Sequence, residues 1–179
     1  MTRPVSFFKT PLALALLLLV FISNQATALP EDRELPLSVA AQQMQWNNQA
    51  QRATYQGQVE LHQGELLLKS AQLEIQRNAA GELEQAIATQ PKGQAYLRDL
   101  PDATKPEVEA WGESIDYLPA KNLVILTGKA RLTQGNDSFT GHKLTYNLVT
   151  QDIQAEQKSS SDTRVEIILT PATSGKKND

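Results

Sequence analysis

The fold is decided by Tyr55-Gln-Gly-Gln-Val-Glu-Leu-His-Gln-Gly-Glu-Leu-Leu-Leu-Lys-Ser-Ala-Gln-Leu-Glu-Ile75. Tyr55, Val59 and Leu61 alternate with Gln56, Gln58 and Glu60, the period of two that gives a β-strand one apolar face. Gln63-Gly64 marks a turn, and the run beyond it reads as the returning strand. Shifted by 71 residues without a gap, this stretch falls on Leu126 to Tyr146: Gly57 on Gly128, Leu61 on Leu132, Gln63 on Gln134, Gly64 on Gly135 and Leu73 on Leu144. Ordinary residue frequencies would give about one or two identities over such a length. The repeated unit is a hairpin. Gly64 and Gly135 supply its turns, while Gly57 and Gly128, inside strands, mark a bulge or a bend.

Outward from this pair the pattern continues. Leu144, Tyr146 and Leu148 alternate with Lys143, Thr145 and Asn147, and short apolar runs are separated by Gly, Asn, Asp or Pro throughout. The stretch Ala40 to Ala53, rich in Ala and Gln, is the one place that tempts a helix assignment, and it reads as strand and turn. Stacked hairpins bury their apolar faces on one another, which predicts an all-β sandwich, jelly roll or solenoid-like sheet.

Residues 1–28 carry Arg3 and Lys9, an apolar run from Leu12 to Ile22, and a small-residue ending Ala26-Thr27-Ala28. That is the three-part pattern of a cleavable export signal, with cleavage predicted after Ala28. The apolar run is too short to span a bilayer, which takes about 20 residues. Removing it lowers the formal charge from −3 to −5, because it takes away two cations and no acid. Residues 29–35 read as a loose leader, 36–171 as one β domain, and 172–179 as a tail without an apolar anchor. The chain has no cysteine, so disulfides, thiolate metal sites and Cys nucleophiles are excluded. An acidic exported chain is a poor match for nucleic acid, and the combination fits the space between two bacterial membranes.

Catalytic chemistry is thin. His62 and His142 fall at polar strand or turn positions. The nucleophile-elbow, dinucleotide, phosphate-loop and His-Glu-x-x-His patterns are all missing. Paired carboxylates could serve a carbohydrate-active enzyme, and turnover that vanished on replacing Glu113 or Asp116 would point to one. No catalytic residue, metal ligand or cofactor is predicted.

Val108-Glu-Ala-Trp-Gly-Glu-Ser-Ile-Asp-Tyr117, Lys121-Asn-Leu-Val-Ile-Leu-Thr-Gly128 and Gly141-His-Lys-Leu-Thr-Tyr146 closely resemble the periplasmic lipopolysaccharide transport protein A (LptA, OstA-like) family. So do Tyr55 to Leu61 with the Gln63-Gly64 turn, and the ending Arg164-Val-Glu-Ile-Ile-Leu-Thr-Pro171. The resemblance covers most of residues 36–171; Pro119 and the stretch Gln90 to Pro106 depart from it. It implies an all-β, open β-jelly roll of many short antiparallel strands with an apolar groove. It also implies a non-enzymatic protein that shields the acyl chains of lipopolysaccharide between an inner-membrane LptC-like and an outer-membrane LptD-like partner. End strands would pair head to tail with neighbours.

On this reading Leu37, Val39, Tyr96, Ile115 and Tyr117 face the groove. Val59, Leu61, Leu126, Leu132, Leu144 and Tyr146 line it more deeply, with plain core packing as the alternative for these six. Edge strands at Pro36 to Ala41 and Arg164 to Thr170 would present Pro36, Leu37 and Val39 at one end and Val165, Ile167 and Leu169 at the other. An acidic chain must hold an anionic lipid by its tails, at about 0.8 kcal/mol per buried CH₂. The competing classes are a self-assembling envelope scaffold without lipid and, behind it, the carbohydrate-active enzyme.

Overall fold

The computed structural model describes residues 35–100, 103–158 and 164–171; the export signal, nearly all of the leader and the tail lie outside them. Among the described residues the chain forms twelve strands joined in a single sheet. They are β1 (Ser38–Ala40), β2 (Gln43–Asn47), β3 (Arg52–Gln63), β4 (Leu66–Arg77), β5 (Leu83–Thr89), β6 (Ala95–Asp99), β7 (Val108–Gly112), β8 (Ser114–Leu118), β9 (Leu123–Gln134), β10 (Asp137–Asn147), β11 (Ile153–Glu156) and β12 (Glu166–Ile168). All pairings are antiparallel. Residues 40–53 are strand and turn, and a short 3-10 turn at Pro119–Lys121 precedes β9.

Not every strand is short. β3, β4 and β9 run for 12 residues and β10 for 11, and each pairs with one neighbour along its first part and another along its second. The pairing of β3 with β4 shifts between Gln56 and Val59, and that of β9 with β10 between Gly141 and Lys143. The extra residues are Gly57 (φ 82°) with Gln58 (φ 47°), and Gly128 (φ 77°) with Lys129 (φ 49°). Such bulges bend a strand sharply, so the one sheet folds into two layers at a seam. One layer runs β2-β3-β4-β5-β8-β9-β10-β11 and the other β1-β3-β4-β6-β7-β9-β10-β12. This is a jelly-roll-like arrangement.

The hairpin repeat legible in the sequence is part of a larger duplication. Val39 opposes Leu61 and Ala110 opposes Leu132; Met44 opposes Tyr55 and Ile115 opposes Leu126. Each partner lies 71 residues on, so β1 to β4 recur as β7 to β10 without a gap. β5 and β6 recur as β11 and β12, with Leu73 opposite Ala88 matched by Leu144 opposite Ala155, and Leu68 opposite Leu97 matched by Phe139 opposite Ile167. The molecule is two six-strand units. They meet where β5 pairs with β8 and β6 with β7.

Fully buried apolar residues come from every strand between β3 and β10 and from none of β1, β2, β11 or β12. Burying each Leu, Ile or Val stabilises the fold by about 1.5–3 kcal/mol. The end strands contribute only half-buried residues such as Val39, Ile153 and Ala155.

Candidate functional site

Alternation places one apolar face of each layer inward. Val59, Leu61, Ile115, Tyr117, Leu126, Leu132, Leu144 and Tyr146, expected to line a groove, are all inside and at most 1% exposed. The layers therefore meet as a packed core at mid-molecule. The Tyr117 hydroxyl donates across them to Gln63 Oε1 at 3.1 Å, while Gln63 Nε2 donates to the Leu35 carbonyl at 3.2 Å.

The interior opens at the N-terminal end. A cavity of about 440 Å³, lined by Leu37, Trp46, Ala53, Tyr55, Ile75 and Leu83 among others, lies within the range of about 300–1,000 Å³ common for small-ligand sites. It exists because, among the described residues, β1 and β2 each pair only with β3, which leaves their far side open there. Leu37 and Val39 are half-buried there against the core, and Pro36 is exposed. Met44 and Trp46 on β2 are 61% and 40% exposed.

The C-terminal end mirrors this. Among the described residues β11 and β12 pair only with β10, Val165 is half-buried, and Ile167, Ile168 and Leu169 stand exposed. Ile167 is 53% exposed. A row of apolar residues on a strand with unsatisfied backbone groups is a pairing surface. The β12 end is tied down by Thr170, whose amide donates to Asp137 Oδ1 at 2.8 Å.

The edge strands expected at Pro36 to Ala41 and Arg164 to Thr170 contain β1 and β12, and β2 falls in the stretch read as strand and turn; the sequence did not mark β2 as the second strand of its edge, nor β11 as a strand. The available signal was the same 71-residue offset, which sets Met44-Gln-Trp46 on Ile115-Asp-Tyr117.

Tyr96 does not face the interior. Ala95, Leu97 and Asp99 take the buried face of β6, which leaves Tyr96 half-buried on the other. There its ring lies 5.6 Å from that of Trp111, its hydroxyl donates to Glu109 Oε1 at 2.7 Å, and Arg131 covers the Trp111 ring at 5.0 Å. Burial, together with the acceptor Glu109, pushes the phenol up to about 12. Exposed charges pair locally, as Lys129 does with Glu113 at 3.1 Å and Lys69 with Glu60 at 2.8 Å. Asp116, on the outward face of β8, is held above the usual carboxylate range by burial. Glu113 is therefore engaged with a cation at the seam, and no cluster of three or more potential metal ligands occurs among the described residues.

Residues 38–152 match the family model described as "LptA/(LptD N-terminal domain) LPS transport protein". The chain is similar to the lipopolysaccharide export system protein LptH of Pseudomonas aeruginosa, 29% identical over 154 residues, which cover 83% of this chain and 87% of that protein. It is similar to the lipopolysaccharide export system protein LptA of Escherichia coli K12, 30% identical over 175 residues, covering 96% and 92% respectively. Among solved structures, the LptH crystal structure superposes with a TM-score of 0.72 at 26% identity, over 79% of this chain and 100% of that one. LptH is described there as the LptA-homologous periplasmic component of the conserved lipopolysaccharide transport device.

Proposed function

This chain belongs to the LptA/(LptD N-terminal domain) LPS transport protein family, and from that premise we propose that it is a non-enzymatic periplasmic bridge that binds lipopolysaccharide by its acyl chains. The export signal, with cleavage after Ala28, delivers it there. The observation that carries this reading is the apolar interior that reaches the surface at the N-terminal end through Leu37 and Trp46, with Ile167 and Leu169 standing exposed at the other end. An acyl chain buried there gains on the order of 8–10 kcal/mol, and the anionic head stays in solvent, away from a negatively charged protein.

Leu37, Val39 and Trp46 make the first contacts with lipid. Val59, Leu61, Ile115, Tyr117, Leu126, Leu132, Leu144 and Tyr146 make theirs only when the two layers part, because they are packed on one another in the lipid-free fold. The end strands join copies head to tail and join the row to an LptC-like protein at the inner membrane and an LptD-like protein at the outer. Two different edges make such contacts heterologous, so they propagate as rods.

A photo-crosslinking residue at Leu37 tests the lipid reading. Capture of lipopolysaccharide there, stronger than at Tyr117, is expected. Adducts at neither position, with lipopolysaccharide still reaching the cell surface after depletion of the protein, would leave an envelope scaffold as the function.

A further inference from the structure

We propose that the junction between the two six-strand units inside one chain is the template for the junction between chains. In it, β11 and β12 of one copy meet β2 and β1 of the next in the register that β5 and β6 hold against β8 and β7. This rests on the head-to-tail reading above and adds its atomic register.

Inside the chain Ala88 opposes Ile115, Ala86 opposes Tyr117 and Leu97 opposes Ala110. Carried onto the ends through the duplication, Ala155 opposes Met44, Ile153 opposes Trp46 and Ile167 opposes Val39 of the next copy. The burial pattern is what this template requires. Ile115, Tyr117 and Leu97 are wholly buried at the internal junction, while their counterparts Met44, Trp46 and Ile167 are exposed, as are Leu35 and Ile168 beside them. Leu169, also exposed, takes the place of Asp99 and comes opposite Leu37, the counterpart of Val108.

The backbone at the seam repeats too. Glu113 N donates to Gly128 O, and Gln42 N to Gly57 O, both at 3.0 Å. Internally the carbonyl of Glu113 also accepts from Gln90 N at 3.0 Å, which ties β8 to β5 at the bend. The corresponding donor at the C-terminal end is Gln157 N, and the corresponding acceptor is Gln42 O of the next copy. Gln157 and Arg164 line a cavity of about 520 Å³ at the seam, at the positions matching Gln90 and Gln94. The Ala41-Gln42 bend of the next copy meets that cavity at the place Glu113 takes beside Gln90 at the internal junction.

The two junctions differ in charge. The internal one places Arg98 opposite Glu109, but the matching external pair is Ile168 and Ser38, and Glu156 and Glu166 come opposite Gln43 and Ala40. No opposed ion pair holds the copies together. Their association is therefore insensitive to salt, unlike a charge-steered contact.

The chain has no cysteine of its own, so the register can be read by thiol pairs. A double variant Met44→Cys with Ala155→Cys, oxidised mildly in the otherwise unchanged chain, is expected to give a covalent ladder of copies at low and at high salt. Met44→Cys with Ile153→Cys, two residues out of register, is expected to link no better than either single variant. Circular dichroism confirms that all are folded. Linking through Ile153 as well as or better than through Ala155 overturns the register. If neither pair links while light scattering still grows with concentration, the register fails and head-to-tail assembly stands. Scattering that never grows with concentration overturns both.

Discussion

Ile115 and Met44 occupy the same place in two copies of one structural unit, as do Tyr117 and Trp46. Ile115 and Tyr117 are wholly buried, whereas Met44 is 61% and Trp46 40% exposed. The side chains are of like size and polarity, and each strand pairs with its β3-type neighbour in the same register. The difference is the strand beyond: β5 lies against β8, whereas among the described residues β2 has no second strand beside it. Burial here belongs to the junction more than to the residue. On the proposed head-to-tail junction, the ends keep the apolar composition of an interior because the next copy makes them one.

The largest expected effect sets the two aromatic residues against each other. Tyr117→Ala should cost about 3–5 kcal/mol, the usual range for emptying a large aromatic site in a core, while Trp46→Ala should cost about 1 kcal/mol or less. Urea midpoints of the two variants measure this, and equal losses would end the comparison. Next come the bulges. Gly57→Ala and Gly128→Ala each force an L-residue into the left-handed region, at about 1–2 kcal/mol. Gly128 should be the more costly, because a Cβ there meets the Glu113 side chain that Lys129 holds, whereas at Gly57 it meets the neutral Gln42 side chain in the bend between β1 and β2.

Ile167→Lys should leave stability within about 0.5 kcal/mol and abolish concentration-dependent growth in light scattering. The smallest effect is at Asp116, whose counterpart Gln45 is uncharged. Burial raises the folded-state pKa of Asp116, so the folded state binds its proton more tightly than the unfolded chain does. That group's contribution is favourable at low pH and is lost as pH rises through the folded pKa. Asp116→Asn should therefore raise the melting temperature slightly near neutral pH and leave it unchanged in acid, where both side chains are neutral.

The hairpin repeat was legible because its glycines answer a backbone demand. Gly57, Gly64, Gly128 and Gly135 all have positive φ, and few residues replace glycine there at little cost. The remaining strands of the duplication left a fainter trace. β11 and β12 sit at offsets of 67 and 70 from β5 and β6, because the connections between them differ in length, and a single sliding comparison breaks. Tyr96 was assigned to the wrong face for a related reason. In Ala95-Tyr-Leu-Arg-Asp99 both phases of the alternation carry an apolar residue, and only the partners Leu68 and Ala110, opposite Leu97, decide which faces in. Apart from Tyr96, the residues expected along the groove lie on the inward face of their strands. That they form a closed core at mid-molecule depends on how tightly two layers fold at the seam, which no local pattern encodes.

On the proposed head-to-tail junction, each unit presents on its trailing side the same kind of edge that it receives on its leading side. Span is then set by how many units are strung together, whether or not a peptide bond joins them. A gene that gained a third copy of the β1-to-β6 segment would make a longer chain occupying the same row, and one cut between β6 and β7 would supply it in shorter pieces. Distance between two membranes becomes a matter of counting.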